Sequence, residues 1–170
     1  IVARSQSIRD GYLGDPPFMP PSQVPVIYSG VDTHRFRPNS ELATHERTQL
    51  GFSEDTPLVA MVARFQSVKG HHTFQAMIEK VVQAIPDAQF VVAGEDTFGI
   101  AKDEAYRQTM LNNATTNPIL KTHLQYLGFR HDVESILTAA DVVVCASDFE
   151  SYGKVNLEAM ACGTPVASTN

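Results

Sequence analysis

From residue 57 onward the apolar positions of this chain follow two alternating rhythms. PLVAMVA (57–63), AQFVVAG (88–94), HLQYLGF (123–129), DVVVCAS (141–147) and TPVAST (164–169) are short, largely apolar runs, the pattern of buried strands. Between them, HHTFQAMIEKVVQAI (71–85) sets Phe74, Met77, Ile78, Val81, Val82 and Ile85 at helical spacing. KDEAYRQTMLNNA (102–114), DVESILTAA (132–140) and GKVNLEAMA (153–161) predict further helices. Apolar strands alternating with helices make a parallel sheet covered on both faces, so the expected fold class is a doubly wound α/β domain.

The first part of the chain follows neither rhythm. Residues 1–23 are mixed, and the proline cluster GDPPFMPPSQVP reads as loop or linker. VPVIYSG (24–30) predicts a short buried strand ended by glycine, VDTHRFRPNS a loop, and residues 40–50 a helix capped by Ser40 and stopped by Gly51. The chain opens on IVARS without a methionine and ends directly after an apolar run, which reads as a piece of a longer protein.

Composition narrows the function classes. Of the 170 residues 43% are apolar and 19% charged, ordinary for a globular domain with a real core. A formal net charge of −6 argues against a nucleic-acid partner. No apolar stretch approaches the roughly 20 residues of a membrane span. Cys145 and Cys162 lie in apolar runs without metal or disulfide spacing. A reducing, cytoplasmic location is expected, a peripheral place at the inner membrane face being the alternative for the full-length protein.

In an open α/β sheet, ligands sit outside the carboxyl ends of the strands, against helix N-termini. Four cations follow the predicted strands: Arg64 and Lys69 after the first, Arg130 after HLQYLG, and Lys154 after DVVVCAS. An arginine fork, a lysine point charge and two helix starts at Gly70 and Gly153 suit a diphosphate. Glu150 and Glu158 stand eight positions apart in the same stretch. Paired carboxylates suggest a glycoside hydrolase, but nothing in the sequence supplies the separation of about 5 Å or the desolvating pocket which that chemistry needs. Carboxylates that accept from vicinal sugar hydroxyls fit better, Glu158 at a ribose and Glu150 at a sugar beyond the phosphates.

Adjacent His71 and His72 point about 100° apart on a helix, and no third metal ligand is in reach. Asp32 and His34 read as loop residues, and KDEAYR (102–107) as a solvated helix face. Glu95 and Asp96 fit equally a pocket lining or a helix cap.

Four ordered segments carry a family resemblance. ESYGKVNLEAMACGTPVAS resembles the E-x7-E signature of the retaining glycosyltransferases of group 1, and VARFQSVKGHHTF resembles their strand–Arg–Lys-Gly–helix segment. VIYSGVDTHRFRP is similar to the start of their C-terminal domain, and QYLGFRHDVESILTAADVVVCAS to the strand–helix–strand that follows. The resemblance implies a GT-B architecture, of which this chain is the C-terminal, Rossmann-like donor-binding half. Residues 1–25 would then end a preceding domain or linker, and residues 26–170 would form the donor domain, truncated at its C-terminus.

What the family implies falls on matching positions. Arg64 and Lys69 would grip the donor diphosphate, Glu158 the ribose, and Glu150 the transferred sugar, with Arg64, Lys69 and Glu150 in the catalytic role. Ser151, Tyr152, Gly153, Lys154 and Val155 would meet phosphate and sugar, while Phe129, Arg130 and Val133 would hold the base. Tyr152 replaces the more usual Phe, and Lys154 and Asn156 stand where apolar residues are common. A nucleotide diphosphate sugar is the implied substrate, with no metal or other cofactor. An N-terminal domain of the full-length chain is the implied acceptor-binding partner, so this segment alone is expected to be inactive. A GT-B-like sugar-nucleotide epimerase or a non-catalytic nucleotide-binding module is the alternative. An oxidoreductase-type dinucleotide module is disfavoured, because no G-x-G-x-x-G follows the first strand.

Overall fold

The computed structural model describes residues 1–169. Its sheet is built from β1 (Leu58–Val62), β2 (Gln89–Ala93), β3 (Leu124–Gly128), β4 (Val142–Cys145) and β5 (Val166–Ser168), in the order β3-β2-β1-β4-β5. Every pairing is parallel; Leu58 to Val62 run opposite Gln89 to Ala93, for example. The doubly wound α/β expectation therefore holds.

The period of two along each strand divides the core. Leu58, Ala60, Val91, Ala93 and Val143 face one side, where they meet Phe36, Ile136 and Leu137 of α6 (Val133–Ala139) and Ala159 of α7 (Lys154–Ala161). Met61, Phe90 and Val92 face the other, against Phe74 and Ile78 of α3 (His71–Ala84), Met110 of α4 (Ala101–Thr116) and Leu120 of α5 (Pro118–His123). Each fully buried Leu, Ile or Phe side chain here contributes about 1.5–3 kcal/mol, so both helical layers are held to the sheet mainly by these residues.

Several expectations need correction. Residues 24–30 form no strand: Val26 makes one parallel bridge with Ala3, Val24 is buried, and Ile27 and Tyr28 are exposed. The preceding segment contains α1 (Gln6–Leu13), where Ser5 Oγ accepts from the Ile8 N–H and Leu13 packs with Ala3 and Val24. The cap of α2 (Ser40–Leu50) is Asn39, whose Oδ1 accepts from the Leu42 N–H at 3.0 Å, so Ser40 is the first helical residue. Helix α5 was not anticipated, although Asn117 as cap and Pro118 at the first position signal it.

The stretch 102–107 is more than a solvated face. Asp103 is buried and accepts from Gln66 Nε2 at 3.1 Å, Tyr106 packs on the core, and Arg107 reaches Glu95. Asp32 is a turn residue as expected, its Oδ1 accepting from the His34 N–H at 2.9 Å.

Candidate functional site

Two loops at the carboxyl ends of β1 and β4 are pressed together by a glycine. Gly70 opens α3 with φ 72°, and a Cβ there would lie 1.8 Å from the Ala146 carbonyl oxygen. Only glycine adopts that backbone and tolerates that approach. The Asp148 N–H then donates to the Val68 carbonyl at 2.8 Å, which ties the segment carrying Lys69 to the one carrying Glu150. Gly153, with φ 69°, turns the second loop into α7.

These loops, with the ends of β2 and β3, border a cavity of about 570 Å³. Arg64, Lys69, Phe129, Arg130, Val133, Glu150, Gly153, Lys154, Val155 and Glu158 all line it, which brings together ten of the twelve residues singled out in the sequence. Ser151 and Tyr152 do not line it. Ser5 Oγ donates to the Ser151 carbonyl at 2.9 Å, and Tyr152 turns away, donating its hydroxyl to the Ser29 carbonyl and stacking on Tyr28 at 6.5 Å.

The four cations differ in commitment. Lys69 Nζ lies 2.6 Å from Glu150 Oε2, with both side chains mostly buried. Lys154 Nζ lies 3.0 Å from Glu158 Oε1; Lys154 is exposed and Glu158 buried. Arg130 donates to both oxygens of the buried Glu46 at 2.9 Å and to Asp132 at 2.7 and 2.6 Å. Its hydrogen bonds to Asp132 and Glu46 raise its pKa, and Asp132 is held down to about 2 by the hydrogen bond from Arg130. Arg130 thus ties α2 to the turn after β3, and its guanidinium is not free for a base. Among the described residues, no hydrogen bond or ion pair engages the exposed Arg64 guanidinium.

Glu150 is the most elaborately held carboxylate. Oε2 accepts from Lys69 and, at 3.3 Å, from Ser147 Oγ; Oε1 accepts from the Ser151 N–H at 3.1 Å. Burial by itself would raise its pKa. The hydrogen bond and charge of Lys69, with the Gly153 and Tyr152 N–H groups, outweigh that and leave the pKa lowered, so Glu150 is a charged acceptor at neutral pH. Ser147 was missed in the sequence; its signal is its place as the last residue of DVVVCAS, on a strand end.

Glu95 and Asp96 line the cavity and also approach Arg107 of α4, at 3.3 and 3.7 Å. Phe129 is exposed at the rim, edge-on to His131 at 4.7 Å. His71 is buried in the core and His72 contacts the Tyr106 hydroxyl, so the two do not converge. Among the described residues, no group of three His, Cys, Asp or Glu side chains gathers as a metal site. Likewise, no helix is long and apolar enough to cross a membrane. The cavity offers cations and helix N-termini suited to a polyanion, interleaved with carboxylates able to accept from hydroxyl groups.

Residues 43–170 match the family model described as Glycosyl transferases group 1. The chain belongs to that family. Among its relatives, this glycosyltransferase chain is 33% identical to the alpha-maltose-1-phosphate synthase of Mycolicibacterium smegmatis, over 100% of this chain and 43% of that protein. It is 30% identical to the D-inositol 3-phosphate glycosyltransferase of Segniliparus rotundus, over 99% of this chain and 36% of that protein. The chain therefore spans less than half the length of these relatives. Its fold superposes on Anabaena HepE in complex with UDP and glucose with a TM-score of 0.81 and 26% identity, covering 98% of this chain and 43% of that one. A C-terminal domain of a group 1 glycosyl transferase (LpcC) from Francisella tularensis matches at TM-score 0.69 and 27% identity, covering 82% of this chain and 70% of that one. The fold is the Rossmann-like C-terminal type of GT-B glycosyltransferases.

Proposed function

We propose that residues 26–170 form a donor domain that binds a nucleoside diphosphate sugar, for retaining transfer of a hexosyl group to an acceptor held by an N-terminal domain of a longer chain. Residues 1–25 belong, in this reading, to the connection between the two. The observation that carries it is the convergence of Arg64, Lys69, Glu150 and Glu158 on one cavity at the strand ends. A relative bound to UDP and glucose shares the fold.

Arg64, unengaged, offers its fork to the diphosphate, with Lys69 and the α3 and α7 N-termini adding positive charge. Glu158, on the second turn of α7, accepts from the ribose hydroxyls, and Glu150 faces the transferred sugar. The exposed Phe129 and the backbone of the turn after β3 meet the base. Preorganised cations stabilise the leaving diphosphate as charge develops on it. Delivery of the acceptor hydroxyl is worth up to ~7–11 kcal/mol of barrier, so this segment alone binds the donor without turning it over.

Calorimetry with UDP, uridine and UDP-glucose tests the site. Lys69→Ala removes a charge-assisted hydrogen bond of about 1.5–3 kcal/mol and should weaken UDP by roughly ten- to a hundred-fold while leaving uridine unchanged. Glu158→Gln should weaken all three ligands. Equal losses for UDP and uridine on Lys69→Ala would overturn the phosphate assignment.

A further inference from the structure

The site is neutralised from within: the lysine assigned to phosphate and the carboxylate assigned to sugar hold each other at 2.6 Å. We infer that Glu150, by competing with the diphosphate for Lys69, makes the site discriminate in favour of the sugar conjugate over the free nucleoside diphosphate. This rests on the donor-site reading above and deepens it.

Each oxygen of Glu150 already has a donor: Oε2 has Lys69 and Ser147, and Oε1 the Ser151 N–H. Both members of the Lys69 pair are largely withdrawn from water, with side-chain exposures of 19% and 30%. Removing one partner from such a pair strands the other charge. A plain nucleoside diphosphate that takes Lys69 leaves Glu150 without its paired cation, beside a ligand of like charge. A sugar conjugate carries hydroxyl groups that donate to the released carboxylate, so the exchange of partners is complete. The free nucleotide gets no such compensation. Arg64 lies outside this exchange, because no carboxylate among the described residues holds it, and binds either ligand alike.

The consequence for the reaction is directional. The donor enters as the conjugate and the leaving group departs as the free diphosphate, so an acid that penalises only the latter eases product release. Glu150 therefore acts as a specificity-determining residue through Lys69, in addition to any contact with the sugar.

The test is calorimetric titration of the full chain and of Glu150→Gln with UDP and with UDP-glucose. The glutamine keeps the shape and loses the charge, so UDP should bind about five-fold or more tightly to Glu150→Gln than to the unmodified chain, a scale set by one charged hydrogen bond. UDP-glucose should be unchanged or weaker, so the ratio of the two dissociation constants shifts by at least that factor. A ratio that does not move, or UDP binding that weakens, overturns the inference and leaves the donor site standing. Failure of both ligands to bind the unmodified chain removes the donor site and this inference together. Should Glu150→Gln not fold, the unmodified chain still decides: it should bind UDP no more tightly than UDP-glucose, and a several-fold preference for UDP overturns the discrimination.

Discussion

His71 makes the stability of this domain sensitive to mild acid in a way that can be calculated. Its side chain is 1% exposed, stacks on Phe65 with centroids 4.3 Å apart, and neither ring nitrogen makes a hydrogen bond of good geometry. Burial lowers its pKa from the usual 6.5 to about 4, an effect the neighbouring Ala63 backbone offsets only in part. Above pH 6.5 the ring is neutral in folded and unfolded chains alike, and it contributes nothing to the pH dependence. Between 6.5 and 4 the unfolded chain takes up a proton that the folded one refuses, so stability falls as the pH falls. By pH 5 the loss is about 2 kcal/mol, or roughly 4–8 °C in melting temperature for a domain of this size. Leucine has nearly the same volume and no titrating group. Urea denaturation of wild type and His71→Leu at pH 7.5 and pH 5 isolates the effect, because the carboxylates common to both proteins cancel in the difference. The advantage of His71→Leu should grow by about 2 kcal/mol on going to pH 5. An advantage independent of pH would refute the argument.

Two further outcomes follow from the packing. Gly70→Ala meets the Ala146 carbonyl at 1.8 Å in a left-handed backbone, so denaturation should show a loss on the order of 3 kcal/mol and NMR shifts in both loops of the site. Arg130→Ala leaves Glu46 buried without its cation, so a stability loss of about 3–5 kcal/mol is expected, with the remaining folded protein still able to bind uridine.

The sheet was legible because its signal is local: each strand is a short apolar run, and the alternation of runs with helical spacing leaves one architecture. The site was legible for a related reason, since a parallel sheet places whatever follows its strands on one edge, and Arg64, Lys69, Glu150 and Glu158 all do so. What stayed hidden has a different cause; the bounds of α2 were read correctly, but not which of its residues are buried. In α2 the buried positions include Glu46 and Arg47, charged residues that blur an apolar pattern; Arg47 is satisfied by four backbone carbonyls and by Asp141, contacts no local pattern reveals. VPVIYSG is apolar without being a strand, because most of it lies at the surface and its backbone pairs with Ala3 through a single bridge. Nor does spacing show that Lys69 spends its charge on Glu150, 81 positions away.

The bonds from Ser5 and Ser29 to the Ser151–Tyr152 loop have a practical meaning for anyone cutting the gene. Both serines precede residue 43, where the match to the family begins. An expression product trimmed to the matched stretch would keep every strand of the sheet and still lose two anchors of the loop beside Glu150. The same cut would remove Phe36 from the core and open α2 without its Asn39 cap, so the bounds of the sequence match and those of the folded unit differ.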